Sequence, residues 1–343
     1  TTTSVVPTTT TSVVPTTTTS VVPTTTIWVK SPFVCIAEIP VESFGCTKEI
    51  AENAYTETRE YLSNSLEDSL NFDFRIGPNT PNSHFAKVRS ALSPGVNFWS
   101  SEVPSDESSK IFVLTGNDLD WLYGELSSMG LSTDIFDEET ERDLIDGSTA
   151  IGVAFRRPSR DGSKVLLFIN ISLFESYSLP GLASRDEAIF VAAHEWTHLV
   201  QGVLSDNDYD SPCWWTEGSA TFFGTVVALR ENIRNYDDYY GVRIGAVQTK
   251  LEDRNASRAR QINNWVDWLT VEDCTATSYG AGYLATEYLV GQYGLERAVE
   301  VMDLMGLDTT WQSAVEQVYG TQYMALLEEI ATHLRYVFLS TGI

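Results

Sequence analysis

The pentad His194-Glu195-Trp196-Thr197-His198 places two imidazoles four residues apart, which on an α-helix is one face and one turn. Ring nitrogens so placed can share a single metal ion. Glu195 lies on the adjacent side, where its carboxylate can take a proton from water. The helix that must carry them is expected to begin at Ser184, because Ser184 and Glu187 form the Ser-x-x-Glu pattern of a capping box. The run EAIFVAAHEWTHLVQGVL that follows is apolar on almost every face, so the helix is expected to be buried between layers. Two histidines in such a helix are costly unless something satisfies them.

Downstream, SPCWWTEGSATFFG opens another apolar helix and carries Glu217, 19 positions after His198. With these residues the sequence resembles the gluzincin metallopeptidases. The likeness is to peptidase-MA-like domains and to the catalytic domain of the aminopeptidase N and leukotriene A4 hydrolase group. In that group HExxH is followed by Glu in an (N)EGxA context; here Thr216 stands in place of the Asn. The resemblance implies that His194, His198 and Glu217 hold Zn2+ and leave a fourth position open to water. Two imidazoles, one carboxylate and an open position are the usual catalytic set of zinc. It further implies that Glu195 is the general base and passes its proton to the leaving amine. Thr221, one turn after Glu217, either orients a ligand or packs.

A tetrahedral oxyanion needs a donor besides the metal, and in this group a Tyr in a Tyr-x-Lys-Gly context supplies it. SYGAGYLATEYL offers Tyr279, 62 positions after Glu217, with Gly282 matching the Gly and Ala281 where Lys is usual; Tyr283 is the reserve. KVLLFINIS (164–172) stands where gluzincins place an edge strand that pairs with extended peptide. The GAMEN stretch with which the aminopeptidases capture a free amino terminus does not occur between residues 149 and 183, so an endopeptidase is expected. The likeness runs from about residue 149 through the closing helical pair, and it implies a thermolysin-like architecture with the zinc site in a cleft between two subdomains. Residues 27–148 match no family pattern.

A different reading of the same region is a calcium loop, because Asp206, Asp208 and Asp210 alternate and Glu217 falls at the twelfth position. Ser211 stands where Gly is needed, Pro212 follows and Glu217 is better spent on zinc, so Ca2+ held by the three Asp alone is the lesser expectation and a solvated acidic loop the simpler one.

The elements that position these residues form two groups. IWVKSPFVCIAEIP (27–40) and NFDFRI (71–76) have strand-like apolar stretches, with the i, i+3, i+4 pattern of a helix between them over 41–66. Asp118–Met129 and Glu138–Ile145 have helical patterns with acidic first turns. STAIGVAFRR and KVLLFINISLF flank PSRDGS as two strands around a turn. From residue 184 onward strand signals vanish. The expectation is an α+β fold, with a mixed-sheet subdomain over 27–203 and a helical subdomain over 204–343.

The first 26 residues stand apart, reading TTTSVVPT three times and then Thr25 and Thr26, so the formal net charge of −25 belongs wholly to residues 27–343. Such a charge excludes most nucleic-acid binding and favours basic or neutral peptides over acidic ones. A Thr/Ser/Pro tract resembles the O-glycosylated stalks of exported proteins, and is expected to bear a glycan coat or to self-assemble with neighbouring copies; a plain linker is the bland reading. No apolar run reaches the roughly 18 residues of a membrane span, and no Lys/Arg-led signal sequence is present, as expected of a processed, secreted or cell-surface protein. Four cysteines without CxxC spacing favour two disulfides, and local closure favours Cys35–Cys46 with Cys213–Cys274, against buried reduced thiols. If Cys213 pairs with Cys274, the bridge ties the loop before Glu217 to the loop before Tyr279. Asn170 and Asn255 open glycosylation sequons, and His84 and His333 have no partner pattern.

Three functions therefore compete. The first is a zinc endopeptidase acting on peptide or protein substrates. The second is a surface filament-forming protein assembled through its tail, its peptidase-like domain a decoration. The third, resting on nine Trp, is a carbohydrate- or peptide-binding module.

Overall fold

The computed structural model describes residues 43–64, 71–103, 106–149, 151–155, 164–170, 184–205, 211–229, 264–270, 274, 276–307 and 309–341. Every described residue belongs to one compact unit. The repeat tail, the strand expected over 27–40, Cys35, the three aspartates of the calcium reading and Asn255 lie outside the described residues.

Helix α1 (Ser43–Asn64) is followed by β1 (Asp73–Ile76), α2 (Asn82–Phe98), β2 (Ser109–Leu114), a short 3-10 turn at Gly116–Asp118, α3 (Leu119–Ser128) and α4 (Glu138–Asp146). Then come β3 (Ile151–Phe155), β4 (Lys164–Ile169), α5 (Ser184–Leu204) and α6 (Cys213–Leu229). Five more described helices close the chain: α7 (Trp265–Leu269), α8 (Ala276–Tyr293), α9 (Leu295–Met305), α10 (Trp311–Tyr319) and α11 (Tyr323–Thr341). Strands and helices come first and helices follow, so the α+β reading holds. Among the described residues no helix is long and apolar enough to cross a membrane.

The sheet has the order β1-β2-β4-β3, with β1, β2 and β4 parallel and β3 antiparallel to β4, Ile151 facing Ile169 and Phe155 facing Val165. This corrects the expectation for KVLLFINIS. Residues 164–169 are an internal strand, hydrogen-bonded to β2 on one side and β3 on the other, and among the described residues β1 and β3 stand at the two edges. A near-continuous apolar run is what an internal strand covered on both faces requires. Ile111, Val113, Leu166 and Phe168 point to one face and join the core that runs through the helical half. Phe112, Leu114, Val165, Leu167 and Ile169 point to the other, where Leu119, Leu122 and Leu126 of α3 and Leu144 of α4 cover them. Each such side chain contributes about 1.5–3 kcal/mol by leaving water.

Helix α5 packs against β3 and β4 on one side and against α2 and α6 on others, while α6 is gripped by α8. Helices α6 and α8 meet at glycines. A Cβ on Gly218 of α6 would lie 2.2 Å from the carbonyl carbon of Gly282 on α8, and one on Gly282 would lie 2.2 Å from the Trp214 carbonyl oxygen. Trp214 also donates from Nε1 to the Leu269 carbonyl at 2.9 Å, and its ring meets Trp311 at 6.0 Å. Trp99, Trp196, Trp214, Trp215, Trp265 and Trp311 are buried. These six are core packing, while Trp121 and Trp268 are partly buried and Trp28 lies outside the described residues.

Because the backbones of α6 and α8 touch at Gly218, Gly218→Ala should lower stability by about 1–3 kcal/mol through overpacking. Urea unfolding of the variant checks this, and an unchanged midpoint would show that the two helices separate freely.

Candidate metal centre

Helix α5 is buried on several sides, through Ala188, Ile189, Ala192, Trp196, Leu199 and Val200 among others. His194 and His198 fall on the side that faces α6, 8% and 6% exposed, with ring centroids 4.7 Å apart and nearly perpendicular. Glu217 sits in the second turn of α6, and its side chain reaches back to them. The distances are 3.1 Å between the two Nε2 atoms, 3.4 Å from His194 Nε2 to Glu217 Oε2 and 3.2 Å from His198 Nε2 to the same oxygen. Among the described residues this trio is the only cluster of three or more such side chains that could hold a metal ion.

The donor set fits a transition metal. Atoms about 2.0–2.1 Å from a tetrahedral ion lie roughly 3.3–3.4 Å from one another, close to the spacing here. Electrostatics agree in sign. Burial pushes the Glu217 carboxyl up, but the charges and hydrogen bonds of His198 and His194 outweigh it and hold the group well below the usual carboxylate range. Glu217 is therefore anionic at the moment the imidazoles face it. The calcium reading rests on Asp206, Asp208 and Asp210 alone, which lie outside the described residues.

Supporting contacts surround the trio. His198 Nδ1 is 2.8 Å from Gln201 Oε1, and Gln201 Nε2 donates to the Thr216 carbonyl at 2.9 Å and to Ser219 Oγ at 2.8 Å. Sequence reading missed Gln201; its signal, an amide three residues beyond the second histidine on the same buried helix, is visible only once α6 is known to lie against it. Thr221 Oγ1 lies 3.5 Å from His194 Nδ1, at the limit of a hydrogen bond. Thr197 accepts from Trp99 Nε1 at 3.1 Å and donates to the Ala193 carbonyl at 2.8 Å, which fastens α5 to α2.

Glu195 lies on the β3 side of α5. A Cβ on Gly152 of β3 would come within 2.7 Å of Glu195 Cγ, so only glycine leaves that carboxylate its place against the edge strand. The two candidate tyrosines part company. Tyr279 is partly buried and stacks on His194, its ring nearly parallel at a centroid distance of 6.0 Å. Tyr283 is 1% exposed and packs on Phe222 at 5.4 Å, as a core residue. Cys213, the first residue of α6, is bonded to Cys274, just ahead of α8, as expected. That bridge joins the start of the helix carrying Glu217 to the approach of the helix carrying Tyr279.

The remaining candidates stand elsewhere. Burial and the nearby Lys87 lower the pKa of His84, itself buried on α2, and His333 on α11 packs against Tyr288 at 5.2 Å. Asn170 is 8% exposed and donates from Nδ2 to the Leu144 and Thr149 carbonyls, so this sequon's amide is engaged inside the fold rather than presented to a glycan.

Titration of the chelator-treated protein with Zn2+ should show one ion bound per chain. His194→Ala or Glu217→Ala should weaken it beyond the roughly 10–100-fold typical of residues that merely support a ligand. Equal binding by the variants would place the ion elsewhere. Compared with family models, with curated proteins and with solved structures, the chain gives no match.

Proposed function

We propose that the protein is a secreted or cell-surface zinc endopeptidase of gluzincin type, built on a thermolysin-like plan. The observation that carries this reading is the convergence of His194 Nε2, His198 Nε2 and Glu217 Oε2 within 3.4 Å of one another, with Glu195 and Tyr279 on the flanks. Bound there, Zn2+ would supply a Lewis acid that polarises the scissile carbonyl and makes water nucleophilic at neutral pH.

The chain's own residues carry the rest. Glu195, beside Gly152, accepts a proton from the attacking water and delivers it to the leaving amine nitrogen. Tyr279 donates its phenol hydrogen to the oxyanion as the carbonyl carbon becomes tetrahedral. Among the described residues β3 pairs only with β4, so its other side offers backbone groups to an extended peptide next to Glu195. Closeness of strand and base puts a scissile bond in a β3-paired peptide within reach of the carboxylate. The absence of a GAMEN-like stretch between 149 and 183 favours cleavage within chains over removal of single amino-terminal residues. The net charge of −25 favours basic or neutral peptides. Export is supported by the Cys213–Cys274 bridge, which survives in an oxidising compartment, and by the Thr-rich repeats.

The triple TTTSVVPT repeat favours a second role, assembly or surface display through the tail, which is compatible with the first. Removing residues 1–26 should abolish assembly and leave peptidase activity intact if the two roles are separate.

Glu195→Gln should lower kcat on an unstructured protein substrate by about 10²–10⁴ while the variant still binds Zn2+. Tyr279→Phe should cost about 10²–10³ in kcat with KM little changed. Activity that persists in Glu195→Gln, or that survives metal removal, contradicts the mechanism.

A further inference from the structure

Gln201 is 5% exposed and makes three contacts that its amide can satisfy in one orientation only. With Nε2 toward Thr216 O and Ser219 Oγ, both amide hydrogens are used and Oε1 is left facing His198 Nδ1 at 2.8 Å. The reverse orientation would set the amide oxygen against the Thr216 carbonyl oxygen, two acceptors with no hydrogen between them. A carbonyl oxygen only accepts, so the imidazole must carry its hydrogen on Nδ1. In the neutral ring that leaves the lone pair on Nε2, which is the atom turned toward His194 and Glu217.

Position adds a second function to the same side chain. Gln201 stands on α5 one turn beyond His198, and its two donated bonds end on α6 at Thr216 and Ser219, one residue before and two residues after Glu217. One amide thus sets the tautomer of a ligand on α5 and the register of the helix that brings the carboxylate ligand.

The structure assigns Gln201 as a positioning residue of the metal centre, which holds His198 in its Nδ1–H tautomer and locks α5 to α6 on both sides of Glu217. This assignment rests on the metal-centre reading above and names what tunes that centre.

The test uses the full chain, metal-free at pH 8, with ring ¹⁵N shifts of its four histidines to read the tautomer, followed by competition of a chelator against Zn2+. In the unaltered protein His198 should carry a hydrogen on Nδ1; a neutral ring with its hydrogen on Nε2 alone overturns the assignment without any variant being made. Gln201→Leu should shift His198 toward the Nε2–H form and weaken Zn2+ binding about 10–100-fold, whereas Ser219→Ala should keep the tautomer and stay within roughly 3-fold. Retention of Nδ1–H in Gln201→Leu, or Zn2+ affinity within roughly 3-fold of the unaltered protein, overturns it as well. If the unaltered chain binds no Zn2+, the metal reading fails, while the tautomer measurement still decides the role of Gln201.

Discussion

Three electron-rich atoms that crowd together in a poorly hydrated interior make a demand on everything around them. Two imidazole nitrogens and a carboxylate oxygen stand 3.1–3.4 Å apart, and the histidines are nearly buried. A cation must lie among them, a proton or a metal ion, because unscreened burial of such groups costs several kcal/mol. Holding them in place requires that α5 and α6 keep one relative position. Gln201 ties the two helices on both sides of Glu217, and Thr197 ties α5 to α2. On the far side, α6 meets α8 backbone to backbone at Gly218 and Gly282, and the Cys213–Cys274 bridge joins the same two elements at their starts.

The sheet contributes from the other direction. Its strand β3 runs antiparallel at one edge of the sheet among the described residues, and a glycine there lets Glu195 lie against it. The base, the ligands and the candidate oxyanion donor thus come from three helices, α5, α6 and α8, set against one strand. Tyr279 stacks on His194 while Tyr283, one turn on, is sealed in the core, which separates the two candidates by environment rather than by type.

Much of this was legible in the residues. The i, i+4 histidines are readable because helical periodicity is local, and the Cys213–Cys274 bridge because a short closure was the simplest pairing. Other features depend on contacts between distant segments. Helix α2 escaped notice because Pro94-Gly95 reads as a break, yet seven of its residues are buried and the tertiary packing overrides the local signal. Strand β2 was hidden in a short apolar run bounded by Ser and Thr, and the edge position expected for β4 came from the family resemblance, since an apolar run by itself does not tell an internal strand from an edge. Gln201 stands out in sequence only by its spacing from His198, since its function exists only where α6 presents Thr216 and Ser219 to it. The Asn170 sequon shows the converse, a pattern present in the sequence and turned inward by the fold.

The central claim is that one metal ion sits among His194, His198 and Glu217, and anomalous diffraction at the zinc edge tests it most directly. Crystals grown with Zn2+ should give one strong peak about 2.0–2.2 Å from both Nε2 atoms and a Glu217 carboxylate oxygen. A peak elsewhere, or none while the three side chains keep their places, would contradict the account.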